Sequence, residues 1–362
     1  MMFQPTLDDR PRRRGFDVPL YEDHSPSAAA PQPDEIMELG AAYRRAKTLL
    51  TAVELGLFTA LAQEPQDAET LRRRLDLHPR AARDFFDALV ALGMIERHDG
   101  IYSNTPATDL YLDAAKPTYL GGILELANTR LYGDWSRFTE AVRSGLPQNG
   151  TATNTDAFET IYRDPQAVAT FLRGMTGLSR MPAAVLARRI RWSEHRVIID
   201  VGAAEGCVPV EIARHHPHLT GGGFDLPVVR ETFETYVERH GLSDRLRFYP
   251  GDFLTGPLPS ADVLVMGHIL HDWDLAVKRD LLAKAHAALP PGGLLIVYDQ
   301  MIDDDRRENV EGLLTSLSML LQTPGGFDYT GAECAGWMRD AGFAEVQVAP
   351  LWAAHSMALG IK

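Results

Sequence analysis

The sequence has little of what marks a secreted, membrane-spanning or disulfide-linked protein. It contains only two cysteines, Cys207 and Cys334, which excludes a disulfide framework and is typical of a reducing compartment. No apolar run reaches the roughly 18 residues of a membrane span, and no apolar segment follows the arginines near the N-terminus. We therefore expect a cytoplasmic protein with neither a membrane anchor nor a secretory signal.

Basic charge and metal-binding patterns are scarce as well. The formal net charge of -13 makes a nucleic-acid backbone an unfavourable partner. No cysteines and histidines have the spacing of a zinc site, and His215, His216 and His218 fit the surface end of a helix better than a metal site. The sequence thus predicts no bound metal and no nucleic-acid partner.

In the first third of the chain, the sequence pattern changes at residue 33 from a polar, Pro-rich stretch to helical patterns. Residues 1–32 are rich in Pro, Arg, Asp, Ser and Ala and predict a disordered arm. Residues 33–113 show three helical patterns and then a turn at Asp99-Gly100, which is the outline of a winged helix. A DNA-binding regulator is therefore one alternative, although the third helix lacks a basic stripe. The predicted helices begin at Asp34 and cover Ala68–Leu75 and Pro79–Leu92.

The rest of the chain predicts an α/β domain that follows a helical connector. Residues 114–191 have helical patterns, and strand and helix patterns alternate from residue 192 to 362. This alternation is the signature of a doubly wound, Rossmann-like parallel sheet, in which ligands bind beyond the carboxyl ends of the strands. The predicted strands are Val197–Val201, Leu219–Phe224, Leu246–Tyr249, Asp262–Met266, Leu294–Tyr298, Glu345–Val348 and Ser356–Ile361.

Polar and small residues follow the first three of these strands. Gly202 and Gly206 stand where the first strand turns into a helix, so the backbone and the helix N-terminus can approach a ligand. Asp225 comes about 20 positions later and can accept hydrogen bonds from both hydroxyls of a ribose. Asp252 is suited to an adenine amino group, and Phe253 to covering the adenine ring. These features fit NAD or S-adenosylmethionine (AdoMet), but the Gly-x-Gly-x-x-Gly spacing of most dinucleotide sites is missing.

The most specific stretch is Met266–Trp273, which reads Met-Gly-His-Ile-Leu-His-Asp-Trp. It resembles the Leu-His-Asp-Trp signature of AdoMet-dependent O-methyltransferases of small molecules, both the plant caffeic-acid type and their bacterial natural-product relatives. The stretch Val197–Gly206 is similar to the first motif of class I AdoMet methyltransferases. The resemblance extends from about Asp34 to the C-terminus. It implies an AdoMet-binding domain and a winged-helix-like N-terminal domain that forms a homodimer instead of binding DNA.

The resemblance also implies roles for individual residues. His271 matches the general base that deprotonates a phenolic hydroxyl, and Asp299 and Asp328 fall where plant members carry two glutamates. The residues implied to contact AdoMet are Ser179, Gly202, Asp225, Leu226, Asp252, Phe253 and Gly267. Those implied to line the substrate pocket are Phe171, Met175 and Met319.

Some positions depart from the pattern of the family. Ala203 and Ala204 replace glycines of the first motif, so we expect a slightly altered turn, because alanine tolerates a positive φ poorly. The two acidic residues beside the base are aspartates, one methylene shorter than glutamate, which weakens their expected contact with it. Gly267 stands where plant members carry a lysine, so only its backbone is expected to touch the adenosine.

The sequence therefore predicts transfer of a methyl group from AdoMet to a hydroxyl of a small aromatic substrate. A phenol has a pKa of about 10, and a histidine positioned to remove its proton contributes about 10²–10⁴-fold in rate. Methylation at carbon or nitrogen of a related small molecule is the nearest alternative, because the fold hosts these reactions too. A winged-helix regulator that binds AdoMet without turnover is the alternative from another class.

Overall fold

The computed structural model describes residues 33–149, 161–162 and 164–362. The arm predicted for residues 1–32 lies outside the described residues. The chain divides between Arg45 and Ala46 into two compact units. The described part of the smaller unit is residues 33–45, which hold the first half of helix α1, Asp34–Glu54. Its exposed apolar side chains are Ile36, Met37, Leu39 and Tyr43.

The larger unit begins with short helices and a small sheet. Their bounds are Leu57–Gln63 (α2), Gln66–Asp67 (β1), Ala68–Arg74 (α3), Pro79–Ala91 (α4), Ile95–His98 (β2) and Ile101–Asn104 (β3). The sheet has the order β1-β3-β2, and its core includes Phe58, Phe86 and Tyr102. Helix α3 begins at Asp67, whose carboxylate accepts hydrogen bonds from two backbone N–H groups of the first turn. The predicted helices and hairpin are confirmed, whereas α2 and β1 were not predicted.

A helical segment connects this region to the large sheet. Its helices are Pro106–Leu112 (α5), Gly121–Leu126 (α6), Tyr132–Trp135 (α7), Phe138–Ser144 (α8) and Pro165–Arg189 (α9), with a π-helical stretch at Ala127–Leu131. A Cβ on Gly122 would lie 2.5 Å from the carbonyl oxygen of Arg173, so glycine permits the close packing of α6 on α9. The described part of residues 114–191 is mainly helical, whereas residues 150–160 and 163 lie outside the described residues. The connector as a separate domain, with boundaries after residues 113 and 191, stays a prediction.

Seven strands form the central sheet of the larger unit. They are Val197–Val201 (β4), Thr220–Asp225 (β5), Leu246–Pro250 (β6), Val263–Gly267 (β7), Leu294–Asp299 (β8), Glu345–Trp352 (β9) and His355–Ile361 (β10). Their order is β6-β5-β4-β7-β8-β10-β9, and the first five are parallel. All seven predicted strands are present, and the doubly wound sheet is confirmed, but it is mixed: β10 runs antiparallel to both of its neighbours, β8 and β9. Only Ala353 and Ala354 separate β9 from β10, and so short a connection joins only antiparallel neighbours.

Helices cover both faces of this sheet. Their bounds are Cys207–His215 (α10), Arg230–Arg239 (α11), Leu275–Ala288 (α12), Val310–Gln322 (α13) and Gly331–Asp340 (α14). One apolar core joins Leu264 and Leu295 of the sheet to Leu281 of α12, and another joins Ile198 and Ile296 to helices of the opposite face. Because both faces are covered, the carboxyl ends of the strands are the edge at which a ligand can enter.

Two further expectations concern the thiols and the membrane. Cys207 and Cys334 are both buried and free, as the absence of a disulfide framework predicts. No helix of the described residues is long and apolar enough to cross a membrane.

Candidate active site

A cavity of about 680 Å³ opens at the carboxyl ends of the parallel strands. It brings together residues that the sequence places on separate strands and helices. Its wall includes all ten residues expected to contact the cofactor or the substrate, together with His271. These ten are Phe171, Met175, Ser179, Gly202, Asp225, Leu226, Asp252, Phe253, Gly267 and Met319. Asp299 and Asp328 are not on the wall, because they lie almost fully buried behind His271.

His271 sits in the turn that follows strand β7. A short 3₁₀ turn, Leu270–Asp272, directs its ring to the cavity. The His271 Nδ1 atom lies 3.3 Å from Oδ1 of Asp328 and 3.7 Å from Oδ1 of Asp299. The shorter aspartate side chains still approach the ring: Asp328 lies within hydrogen-bond distance, and Asp299 lies slightly beyond it. The loop that carries Asp328 and the end of β8 come close enough to replace the missing methylene.

Three carboxylates surround this imidazole and change its acidity. Burial alone lowers the pKa of His271, but the charges of Asp299, Asp328 and Asp272 outweigh burial and raise it to about 10. Burial also raises the pKa of Asp299 to about 6, although the neighbouring imidazolium and a hydrogen bond from the Tyr329 hydroxyl oppose this shift. The ring is therefore a strong base held in a fixed orientation.

A second histidine, which was not predicted as a site residue, borders the same cavity. His268 is buried with a φ of 56°, and its Nδ1 lies 3.8 Å from Oδ1 of Asp299. Burial lowers its pKa well below the ordinary value, so it is neutral. His268, His271 and Asp299 each offer one ligand atom, and these three atoms lie within 4.8 Å of one another. Such a group could hold a metal ion. The absence of a metal, inferred from sequence spacing, thus stays a prediction.

Lys278 is the least expected residue near the base. It belongs to helix α12, is 0% exposed, and directs its Nζ at the Phe327 ring, 3.6 Å from the ring centre. The ammonium also donates a hydrogen bond to the carbonyl of Trp273. No pattern in the sequence distinguishes this lysine from one on the solvent face of a helix.

The first-motif turn approaches the cavity with its backbone. Gly202 has a φ of 74°, and a Cβ there would overlap the side chain of Ile269. Ala204 adopts a φ of 48°, so alanine takes the left-handed conformation in spite of its cost. Its N–H donates to Oδ2 of Asp225 at 2.9 Å, and the Leu226 N–H donates to Oδ1 at 2.7 Å. The altered turn therefore orients the carboxylate of Asp225.

The two acidic residues of this end of the cavity differ in environment. Burial raises the pKa of Asp225 to about 6, against the two backbone hydrogen bonds that lower it. Each carboxylate oxygen has two lone pairs, so both still have capacity to accept from a ligand. Asp252 is more open and accepts hydrogen bonds from Leu254 N at 2.8 Å and Thr255 Oγ1 at 3.1 Å. The neighbouring Phe253 packs edge-on against Trp273 at 5.8 Å.

The structure explains why residue 267 is glycine. Gly267 on β7 pairs in register with Tyr298 on β8, and a Cβ on the glycine would overlap the tyrosine ring. The space that a lysine side chain would need is thus filled by the ring of Tyr298. Tyr298 also borders the cavity and was not predicted, because sequence spacing does not reveal pairs across a sheet.

These features define a class of enzyme. The doubly wound sheet, with an acidic residue after its second strand and a carboxylate-flanked histidine after its fourth, agrees with what the resemblance to small-molecule O-methyltransferases implies. Residues 135–344 match the family model of the O-methyltransferase domain, and residues 37–114 match that of the O-methyltransferase dimerisation domain. The chain belongs to the family of AdoMet-dependent O-methyltransferases.

Individual relatives and solved structures agree with this assignment. The chain is 43% identical to the tetracenomycin polyketide synthesis 8-O-methyl transferase TcmO of Streptomyces glaucescens, covering 91% of this chain and 97% of that protein. It is 40% identical to the N,N-dimethyltransferase OxyT of Streptomyces rimosus, covering 77% of this chain and 81% of that protein. The solved structure of PigF with SAH has a TM-score of 0.81 and 26% identity, covering 92% of this chain and 100% of that chain.

Proposed function

We propose that this enzyme transfers the methyl group of AdoMet to a hydroxyl of a small aromatic substrate, with His271 as the general base. The observation that carries the proposal is the buried contact between His271 Nδ1 and Asp328, beside the cavity. This contact favours the neutral ring with its proton on Nδ1, so Nε2, which lies 3.6 Å from Asp272 Oδ1, is the nitrogen that accepts a proton. The name of the relative TcmO, an 8-O-methyl transferase, supports oxygen as the acceptor atom.

The cavity wall has groups suited to AdoMet. The buried Asp225 carboxylate has lone pairs to spare for ribose hydroxyls, and Leu226 follows it on the wall. The buried hydroxyl of Tyr298 lies on this wall together with Ser179, which fits a wall built for a polar ligand. Asp252 and Phe253 suit the adenine, and the rest of the cofactor is assigned to the wall at Ser179, Gly202 and Gly267. When bound, AdoMet supplies a methyl group on a positively charged sulfur, which requires no metal.

His271 then acts on the hydroxyl of the second substrate. Its pKa of about 10 is close to the pKa of about 10 of a phenol, so proton transfer between the two costs little free energy. Asp328 and Asp299 stabilise the imidazolium that results. A neutral amine attacks without first losing a proton, so a base of this strength favours a hydroxyl acceptor over the nitrogen implied by the name of OxyT.

Another part of the cavity wall suits a flat, apolar methyl acceptor. Phe171 and Met175 lie one helical turn apart on α9, so they present one face to the cavity, and Met319 of α13 borders it as well. Methionine adapts its shape to planar ligands and makes favourable contacts with aromatic rings. We therefore assign these three residues to the aromatic part of the substrate.

We also propose that the enzyme is a homodimer assembled through residues 33–113. The match to a dimerisation domain over residues 37–114 supports this assembly, as do the exposed apolar residues of α1. Obligate dimers commonly bury more than about 2,000 Å². Light scattering at micromolar concentration should give twice the chain mass, and Leu39→Glu should shift the protein towards monomer. A wild-type monomer would refute the proposed assembly.

One experiment tests the proposed reaction. The purified protein is incubated with methyl-labelled AdoMet and matched acceptors, namely phenols, anilines and enolisable ketones, and the position of the label is then determined by NMR. We expect the label on a phenolic oxygen. Label on nitrogen or carbon only, or no transfer to any acceptor, would contradict the proposal.

A further inference from the structure

Lys278 is a fully buried lysine with no direct ionic partner among the described residues. Its side chain is 0% exposed, and no carboxylate oxygen of the described residues lies within the 4.0 Å of a salt bridge. Burying an ammonium that is not paired costs several kcal/mol. Burial accordingly lowers the pKa of Lys278 to about 8, although the nearby carboxylates raise it. A residue that costs stability in this way calls for a role other than packing.

The surroundings of Lys278 connect it to the general base. Its Nζ lies 3.6 Å from the centre of the Phe327 ring and 5.6 Å from that of Tyr329. The hydroxyl of Tyr329 donates a hydrogen bond to Oδ2 of Asp299, whose Oδ1 lies 3.7 Å from His271 Nδ1. One continuous set of contacts therefore runs from the ammonium to the imidazole.

Without the ammonium of Lys278, the carboxylates around His271 carry more negative charge than the imidazole can offset. The groups that act on this ammonium are Asp272, Asp274, Asp299 and Asp328, and Tyr329 and Cys334 pack around the same carboxylates. Two of these carboxylates, Asp299 and Asp328, are buried next to each other, and each repels the charge of the other. His271 supplies one positive charge only while it is protonated, and it loses that charge whenever it is ready to act as a base.

We propose that Lys278 is a positioning residue for His271, because its buried ammonium keeps Asp299 ionised beside the ring. The inference rests on the proposed role of His271 as the base. An ionised Asp299, 3.7 Å from Nδ1, stabilises the imidazolium as it forms, whereas a protonated Asp299 would not. Lys278 touches neither the substrate nor the cofactor, since it is not on the cavity wall.

The test compares Lys278→Met, which keeps the length of the side chain, with Lys278→Gln, which keeps a donor for the Trp273 carbonyl but no charge. In both variants, the decrease in kcat/KM that follows protonation of Asp299, whose pKa is about 6 in the wild type, should move about one pH unit upward. Since Lys278 itself loses its charge near pH 8, the profiles of the variants and the wild type should converge above that pH. Arg279→Met removes an exposed charge from the same helix and should leave the profile unchanged.

A second readout does not depend on turnover. The Nδ1–H proton of His271 should give a downfield NMR signal, identified by its absence in His271→Ala. This signal should disappear on acidification at a pH about one unit higher in both lysine variants than in the wild type. Melting temperature and AdoMet affinity report whether the variants fold.

The outcomes separate the inference from the proposed function. An equal loss of activity at every pH, or an unshifted NMR signal, would make Lys278 a packing residue and overturn the inference. A wild-type profile for Lys278→Gln would also overturn it, because the hydrogen bond would then matter and the charge would not. Normal turnover by His271→Ala would instead refute the proposed base, whatever the lysine variants do.

Discussion

Asp328 lies 3.3 Å from His271, measured between Oδ1 and Nδ1, although the two residues are 57 positions apart in the chain. The contact is buried on both sides. Asp299 reaches the same nitrogen from the end of β8 at 3.7 Å. One imidazole thus faces two carboxylates on its inner side and the cavity on its outer side, which is the geometry of an oriented general base.

This geometry predicts the pH dependence of catalysis. If His271 is the base, the neutral imidazole is the active form. Because its pKa is raised to about 10, kcat/KM should then increase with pH over the range below that pKa. Asp328→Asn removes one of the charges that raise the pKa, so the acid limb should move to lower pH. Asp280→Asn, an exposed residue of α12, should leave the limb in place. A limb that moves upward or stays fixed in Asp328→Asn would contradict this account.

A second prediction concerns cofactor binding at Asp225. If its carboxylate binds the ribose hydroxyls, Asp225→Ala should weaken AdoMet binding by about 1.5–3 kcal/mol, the scale of hydrogen bonds to a charged group. Isothermal titration calorimetry measures the change directly. Glu231→Ala, an exposed acidic residue a few positions later, is the matched control and should bind normally. Unchanged affinity in Asp225→Ala would remove Asp225 from the site.

A third prediction tests the packing of Gly267 against Tyr298. Gly267→Ala should destabilise the protein by about 1–3 kcal/mol, because the added methyl group overlaps the tyrosine ring. Adding Tyr298→Ala to Gly267→Ala should cost less than the sum of the two single changes, since the overlap is then relieved. Urea unfolding provides the measurement. Gly336→Ala is the control, because Gly336 lies in a helix with open space around it, and it should have little effect on stability. A similarly small effect of Gly267→Ala would refute the overlap.

The sequence is informative wherever a site residue directly follows a strand. Asp225, Asp252 and His271 each come at or just after the end of a strand that the apolar pattern predicts, and all three reach the cavity. The ends of parallel strands meet at one edge of a sheet, so strand prediction alone brings these residues together. The resemblance to the family then adds the expected role of each residue.

Features that depend on tertiary contacts were not predictable in this way. Lys278 lies on a helix that covers the sheet, where charged residues are usually exposed, and its burial against Phe327 and Tyr329 depends on tertiary contacts. Tyr298 meets Gly267 across two strands, a pairing set by register and not by sequence distance. Strand β10 was predicted, but its antiparallel direction was not, because the pattern of apolar residues does not report strand direction.

The most direct test of the account is the rate of His271→Ala. The variant should lower kcat by about 10²–10⁴-fold on a weakly acidic phenol, while its AdoMet affinity measured by calorimetry barely changes. Asp299→Asn and Asp328→Asn should each cost less, because these residues orient and stabilise the imidazole and do not accept the proton. The loss in His271→Ala should also shrink for acceptors that are already ionised at the assay pH. Near-normal turnover of a weakly acidic phenol by His271→Ala would contradict the central claim that this histidine is the base.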